Sequence, residues 1–151
     1  MPTSKEIESI MIKVGNSLGK GFTENIYHEA ICSLMRHAMI GYSKEASIPV
    51  TIDNIEVGCV KADIVVQELE LVIECKSIEN FHPKHISQLV TYMKLLNYKN
   101  GIMVNFNSDA KKHVFVEIVR VLKRGENYEA INIDTSEIIH FDELKMIINE
   151  L

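Results

Sequence analysis

Apolar positions recur along this chain first at helical spacing, then at strand spacing, then in shorter alternations of the two. Thr3-Ser4-Lys5-Glu6 has the spacing of a capping box, and Ile7, Ile10, Met11, Val14 and Leu18 follow it on one helical stripe. Gly19-Lys20-Gly21 interrupts that stripe. A second helix is expected from about Phe22 to Ile40, with Ile26, Tyr27, Ala30, Ile31, Leu34, Met35 and Ala38 on its apolar face and Gly41 as its stop. Extended segments are expected at about 43–52, 55–67 and 70–76, turning at Asp53-Asn54 and Glu68-Leu69. His82-Pro83 opens a third helix to about Leu96, because proline is tolerated in a first turn. Residues 97–101 close it, and 101–106 (GIMVNF) read as a buried strand. Residues 113–122 fit strand or helix equally, and 142–151 read as helix. With no repeat, low-complexity tract or long linker, the expectation is one domain over 1–151.

One strand breaks its own pattern. Val72-Ile73-Glu74-Cys75-Lys76 is apolar except for two charges, and alternation puts Glu74 and Lys76 on one face with Ile73 and Cys75 on the other. A two-residue turn at Glu68-Leu69 would set Asp63 opposite Glu74 and Lys61 opposite Lys76. Opposed Cβ atoms lie about 4.5–5.5 Å apart, where like charges repel. Two carboxylates so placed need a counter-charge, and a divalent ion such as Mg²⁺ or Mn²⁺ supplies one, held by one or two carboxylates with water and phosphate. Lys76 then stands ready to orient a water or to steady charge on a phosphate. The competing account is a solvent-facing sheet with Lys61 and Lys76 as cross-strand partners; the hairpin alone leaves the two even.

Composition narrows the setting. The 151 residues are 46% hydrophobic and 25% charged, ordinary globular usage, and no apolar run nears the roughly 20 residues of a membrane span. The first ten residues lack the apolar segment of a signal peptide. Cys32, Cys59 and Cys75 form neither a disulfide framework nor a zinc spacing, so the expected setting is intracellular and soluble, cytoplasmic, nuclear or virion being undistinguished. A net charge of −5 disfavours coating nucleic acid through bulk charge but leaves room for a local basic patch.

Asp63 followed by Glu74-Cys75-Lys76 resembles the core motif of the PD-(D/E)XK nuclease superfamily, an acidic residue, a variable gap, then (D/E)-x-K. Gly21-x-x-Glu24-x-x-Tyr27 in GFTENIY is similar to the signature of the GxxExxY family within it. The likeness runs on through SIPVTIDN, VGCVKADIVV and the long block from Leu71 to Phe106, covering roughly residues 5–107, with 108–151 as an extension of the same domain. It implies an α/β, restriction-endonuclease-like core, a central mixed β-sheet flanked by helices. It also implies a Mg²⁺- or Mn²⁺-dependent nuclease with DNA ahead of RNA as substrate, the choice between them and a homodimer left open; no membrane partner is expected.

The resemblance assigns Asp63, Glu74 and the Cys75 carbonyl to the metal, Lys76 to the water, and Glu24 to an added metal or water contact. Glu24 otherwise reads as an exposed first-turn acid favoured by the helix dipole. Tyr27 reads as a core residue with its hydroxyl near the site. Gln88 and Tyr92, one turn apart, resemble the Q-x-x-x-Y pair of RecB-like members and count as accessory. His82, Lys84 and His85 read as a solvated helix end within reach of phosphate, and Cys75 as a core thiol. The rival function is a non-catalytic nucleic-acid-binding or interaction module that retains the fold. The acidic charge leans that way, and the intact acid–acid–lysine set leans toward the enzyme.

Overall fold

The computed structural model describes residues 2–79, 83–107, 115–133 and 138–139. Helix α1 (Ser4–Leu18) begins where the capping residue requires: the Thr3 hydroxyl accepts the Glu6 amide at 3.3 Å. Helix α2 (Glu24–His37) ends before Gly41, since Met39 itself takes the left-handed conformation, φ +60°, that the glycine was expected to supply. Strands β1 (Ser43–Ile52) and β2 (Ile55–Val66) form a long hairpin through Asp53 and Asn54, at φ +49° and +66°. Its tip leaves Ile52, Ile55 and Val57 exposed.

A single 3₁₀ turn, Gln67–Leu69, and Glu70 at φ +49° lead into β3 (Leu71–Lys76). The loop is therefore four residues and not two, but it has the same centre, so the expected register survives: Val66 pairs with Leu71, Val65 with Val72 and Ile64 with Ile73. Helix α3 (Pro83–Leu96) then crosses over to β4 (Asn100–Phe106), which runs parallel to β3. Strands β5 (Val116–Arg124), β6 (Asn127–Asn132) and β7 (Ile138–Ile139) continue the sheet antiparallel, giving seven strands in chain order among the described residues. The mixed sheet expected from the resemblance is present. The undecided segment near 113–122 is strand from Val116. The C-terminal helix expected at 142–151, like His82, lies outside the described residues.

Helices lie on both faces of this sheet. Ile7, Met11 and Val14 of α1 and Ile31 and Met35 of α2 pack on Ile64, Ile73, Ile102, Val104 and Phe106. Ile86, Leu89, Val90 and Met93 of α3 pack on Val65, Val72, Met103, Val119 and Val121 on the other side. Each fully buried aliphatic side chain contributes roughly 1.5–3 kcal/mol. Gly101 brings α3 close, because a Cβ there would meet Met93 Sδ at 2.6 Å and Leu89 Cγ at 3.1 Å. Glu74 lies between two apolar layers, on the Val72 side of β3. Among the described residues no helix is long and apolar enough to cross a membrane.

Candidate active site

The site forms where two strands part. β3 stays paired to β4 through Lys76, opposite Asn105, but its pairing with β2 stops at Ile73 opposite Ile64. The expected opposition of Lys61 and Lys76 is therefore not made; Lys61 pairs with Ser47 of β1. β2 also changes face at Asp63. Val60 and Ala62 before it and Val65 after it all pack on the α3 side, whereas Ile64 and Val66 pack toward α1 and α2. On β1, Lys44 pairs with Ile64 and Ala46 with Ala62, but Glu45, at φ +51°, makes no pair with Asp63. Strict alternation cannot anticipate this twist.

Asp63 and Glu74 close the fork with crossed hydrogen bonds. The Asp63 amide donates to Glu74 Oε1 at 2.9 Å, and the Cys75 amide donates to Asp63 Oδ2 at 2.8 Å. Each acid thus takes over an amide of the opposite strand beyond the end of the ladder, which brings the two carboxylates together. Glu74 is 3% exposed. Its burial, and then the charge of Asp63, push its carboxyl up to about 8, while the Asp63 amide and the Lys76 ammonium pull the other way. Lys76, half-buried, is thus close enough for its charge to be felt at Glu74.

From α3, Gln88 Nε2 donates to the Tyr92 hydroxyl at 2.9 Å. Burial, and then the Glu74 charge, push the Tyr92 phenol up, which puts this pair beside the acids on the α3 face. From the opposite face comes α2. Its first residue, Glu24, is exposed, and its charge is felt at Cys75, whose thiol is raised well above the ordinary value, chiefly by burial. Among the described residues no three His, Cys, Asp or Glu groups converge on one point, so Glu24 does not join Asp63 and Glu74 in a ready-made triad. Tyr27 is wholly buried and stacks on Phe106 with centroids 4.4 Å apart. Its hydroxyl serves the loop before α2, donating to the Gly19 carbonyl at 2.6 Å and accepting the Phe22 amide at 3.3 Å.

His28, one turn after Glu24 on α2, donates from Nε2 to the Asp63 carbonyl at 3.2 Å. A second contributor went unread. Asn105, fully buried on β4, accepts the Ile78 amide at 2.9 Å and donates to the Ile78 carbonyl at 3.0 Å. It ties down the segment that follows Lys76, beside Ser77, whose hydroxyl donates to the Phe106 carbonyl. Nothing short of the pairing of β3 with β4 could have exposed that role.

The donor set fits a hard divalent cation. Two adjoining carboxylates, one of them buried and disfavoured as an anion, gain from a cation between them, and two protein carboxylates are what Mg²⁺ commonly takes. They are too few to enclose Ca²⁺ and lack the nitrogen or sulfur donors of a zinc site.

No curated protein and no solved structure matches the chain. A family model does match residues 2–121, that of the PD-(D/E)XK nuclease superfamily. That span runs from α1 into β5 and contains the whole fork with both acids and the lysine. The chain belongs to the PD-(D/E)XK nuclease superfamily.

Proposed function

We propose that this protein is a metal-dependent nuclease that hydrolyses phosphodiester bonds in DNA at the β2–β3 fork. The observation that carries this reading is the carboxylate pair, Glu74 buried and Asp63 half-buried, held together by crossed backbone bonds with Lys76 two residues on along β3. Such an arrangement lowers stability unless a ligand answers it, and perturbed carboxylates of this kind mark reaction centres more often than structural pairs.

Asp63 and Glu74 would hold Mg²⁺ or Mn²⁺ with the Cys75 carbonyl, and Glu24 would reach it through water. When bound, such an ion polarises the phosphoryl oxygen and makes a coordinated water more acidic. The Lys76 ammonium donates to the attacking water or to the phosphate oxygen, where negative charge grows in the transition state. Tyr92, oriented by Gln88, lines the α3 side and steadies the DNA backbone there. Membership of the GxxExxY group is part of this reading, and the loop chemistry supports it. Gly21 stands at φ +104°, a conformation other residues rarely adopt, and the Tyr27 hydroxyl clasps the loop around it.

The test is a cleavage assay on single-stranded, duplex and branched DNA, and on RNA, with Mg²⁺, Mn²⁺ or EDTA. Cleavage of DNA with either metal and none with EDTA is expected. Intact binding with no cleavage of any substrate would favour a non-catalytic module, the reading toward which the net charge of −5 leans.

A further inference from the structure

We infer that His28 is a positioning residue that fixes the orientation of Asp63, an inference resting on the ion site proposed above. Asp63 is missing from the register on both sides: β1 skips it between Lys44–Ile64 and Ala46–Ala62, and the β3 pairing begins one residue later. A residue at such a break lacks the neighbours that ordinarily hold a strand residue in place. Two side chains hold its backbone. Glu74 Oε1 accepts its amide at 2.9 Å, and His28 Nε2 donates to its carbonyl at 3.2 Å. A carbonyl oxygen only accepts, so Nε2 carries the proton in this contact.

The hold on the carbonyl is rigid. His28 is 6% exposed, and the preceding residue, Tyr27, is locked by its stack on Phe106 and its two bonds to the Gly19–Phe22 loop. The grip on the amide is weaker in one respect: it comes from Glu74, which must also serve the ion. His28 is therefore the contact to the Asp63 peptide that metal binding leaves undisturbed. With its carbonyl pinned from the α2 face, Asp63 cannot rotate its peptide back into the β1 ladder, and its Oδ2 stays on the Cys75 amide, toward Glu74. Partners one step removed from an ion typically change metal affinity about 10–100-fold when lost.

Mn²⁺ titration of the full chain by calorimetry tests this. His28→Leu and His28→Met fill the space without a donor, and His28→Gln restores an amide N–H at similar reach. The Leu and Met variants should weaken Mn²⁺ binding about 10–100-fold, and Gln should return it to within a few-fold of wild type. In cleavage, kcat should fall with the donor while KM for DNA holds, since the ring faces the strand break and not the substrate. A purely structural role would instead lower the unfolding temperature of all three variants alike and leave Mn²⁺ affinity unchanged. Wild-type Mn²⁺ affinity in His28→Leu and His28→Met, with binding abolished by Asp63→Asn, would overturn the role of His28 and leave the ion site standing. Absence of Mn²⁺ binding in the wild type would overturn both.

Discussion

Two carboxylates lie buried against this sheet, and their surroundings are opposite. Glu8, on α1, is 6% exposed and receives two donors from Arg120 of β5, Nε at 2.9 Å and Nη2 at 2.8 Å. Its charge is answered in a planar fork that matches both oxygens. Glu74 is buried as deeply, yet its nearest charged neighbour is another acid. Glu8 needs nothing from outside the protein, whereas Glu74 is comfortable only when protonated or when a cation arrives. Burial alone therefore does not distinguish a structural charge from a functional one; the partner does.

The sharpest break between the two concerns activity. Lys76→Met keeps the aliphatic stem and removes the charge, so single-turnover DNA cleavage should fall about 10²–10³-fold with Mn²⁺ binding preserved. Cleavage that survives this change would remove the lysine from the chemistry. Arg120→Met should leave metal binding untouched but strand Glu8, costing roughly 2–3 kcal/mol in urea unfolding. That is less than the 3–5 of a wholly buried pair, because the Arg120 side chain is 30% exposed.

The Asp63–Glu74 pair predicts a pH dependence of particular sign. Glu74 in the metal-free fold titrates near 8, above the ordinary 4.5 of an unfolded glutamate, so between those values the fold keeps a proton that the unfolded chain releases. Metal-free stability should therefore fall as pH rises through that window, and added Mn²⁺ should reverse the fall. A flat metal-free profile in calorimetry would show that the fold does not raise the Glu74 carboxyl. The smallest effect belongs to Asp63→Asn. It keeps an oxygen for the Cys75 amide and removes the repulsion, so the metal-free protein should gain about 1 kcal/mol near pH 8 and lose its stabilisation by Mn²⁺.

The helices and the central strands were legible because their apolar positions keep a single period, and the capping threonine marked the start of α1. The β2–β3 register was legible even with the wrong turn length, because a four-residue loop and a two-residue turn about one centre pair the same residues. What escaped has physical causes. Residues 118, 119 and 121 of β5 are all buried, so neither period stands out. The β5–β6 hairpin through Gly125 went unread, its strand Asn127–Asn132 being short and mixed. At the site, the pair Asp63 and Glu74 could be anticipated from alternation. The change of face at Asp63 could not, since it depends on the left-handed Glu45 of a neighbouring strand and on a histidine from a helix 35 residues away in sequence.

β3's membership of two ladders also sets an order in time. Its first half meets β2 through a four-residue loop, a closure that takes well under a millisecond in short chains. Its second half, which carries Glu74 and Lys76, has a ladder partner only in β4, reached across the whole of α3. Parallel pairing of that kind is non-local, and non-local contacts form late. During refolding, pulsed hydrogen exchange should find the amides of the β2–β3 ladder protected before that of Lys76. The proposed centre would then be the last part of its own strand to set, so a chain caught partway carries a finished hairpin and no site.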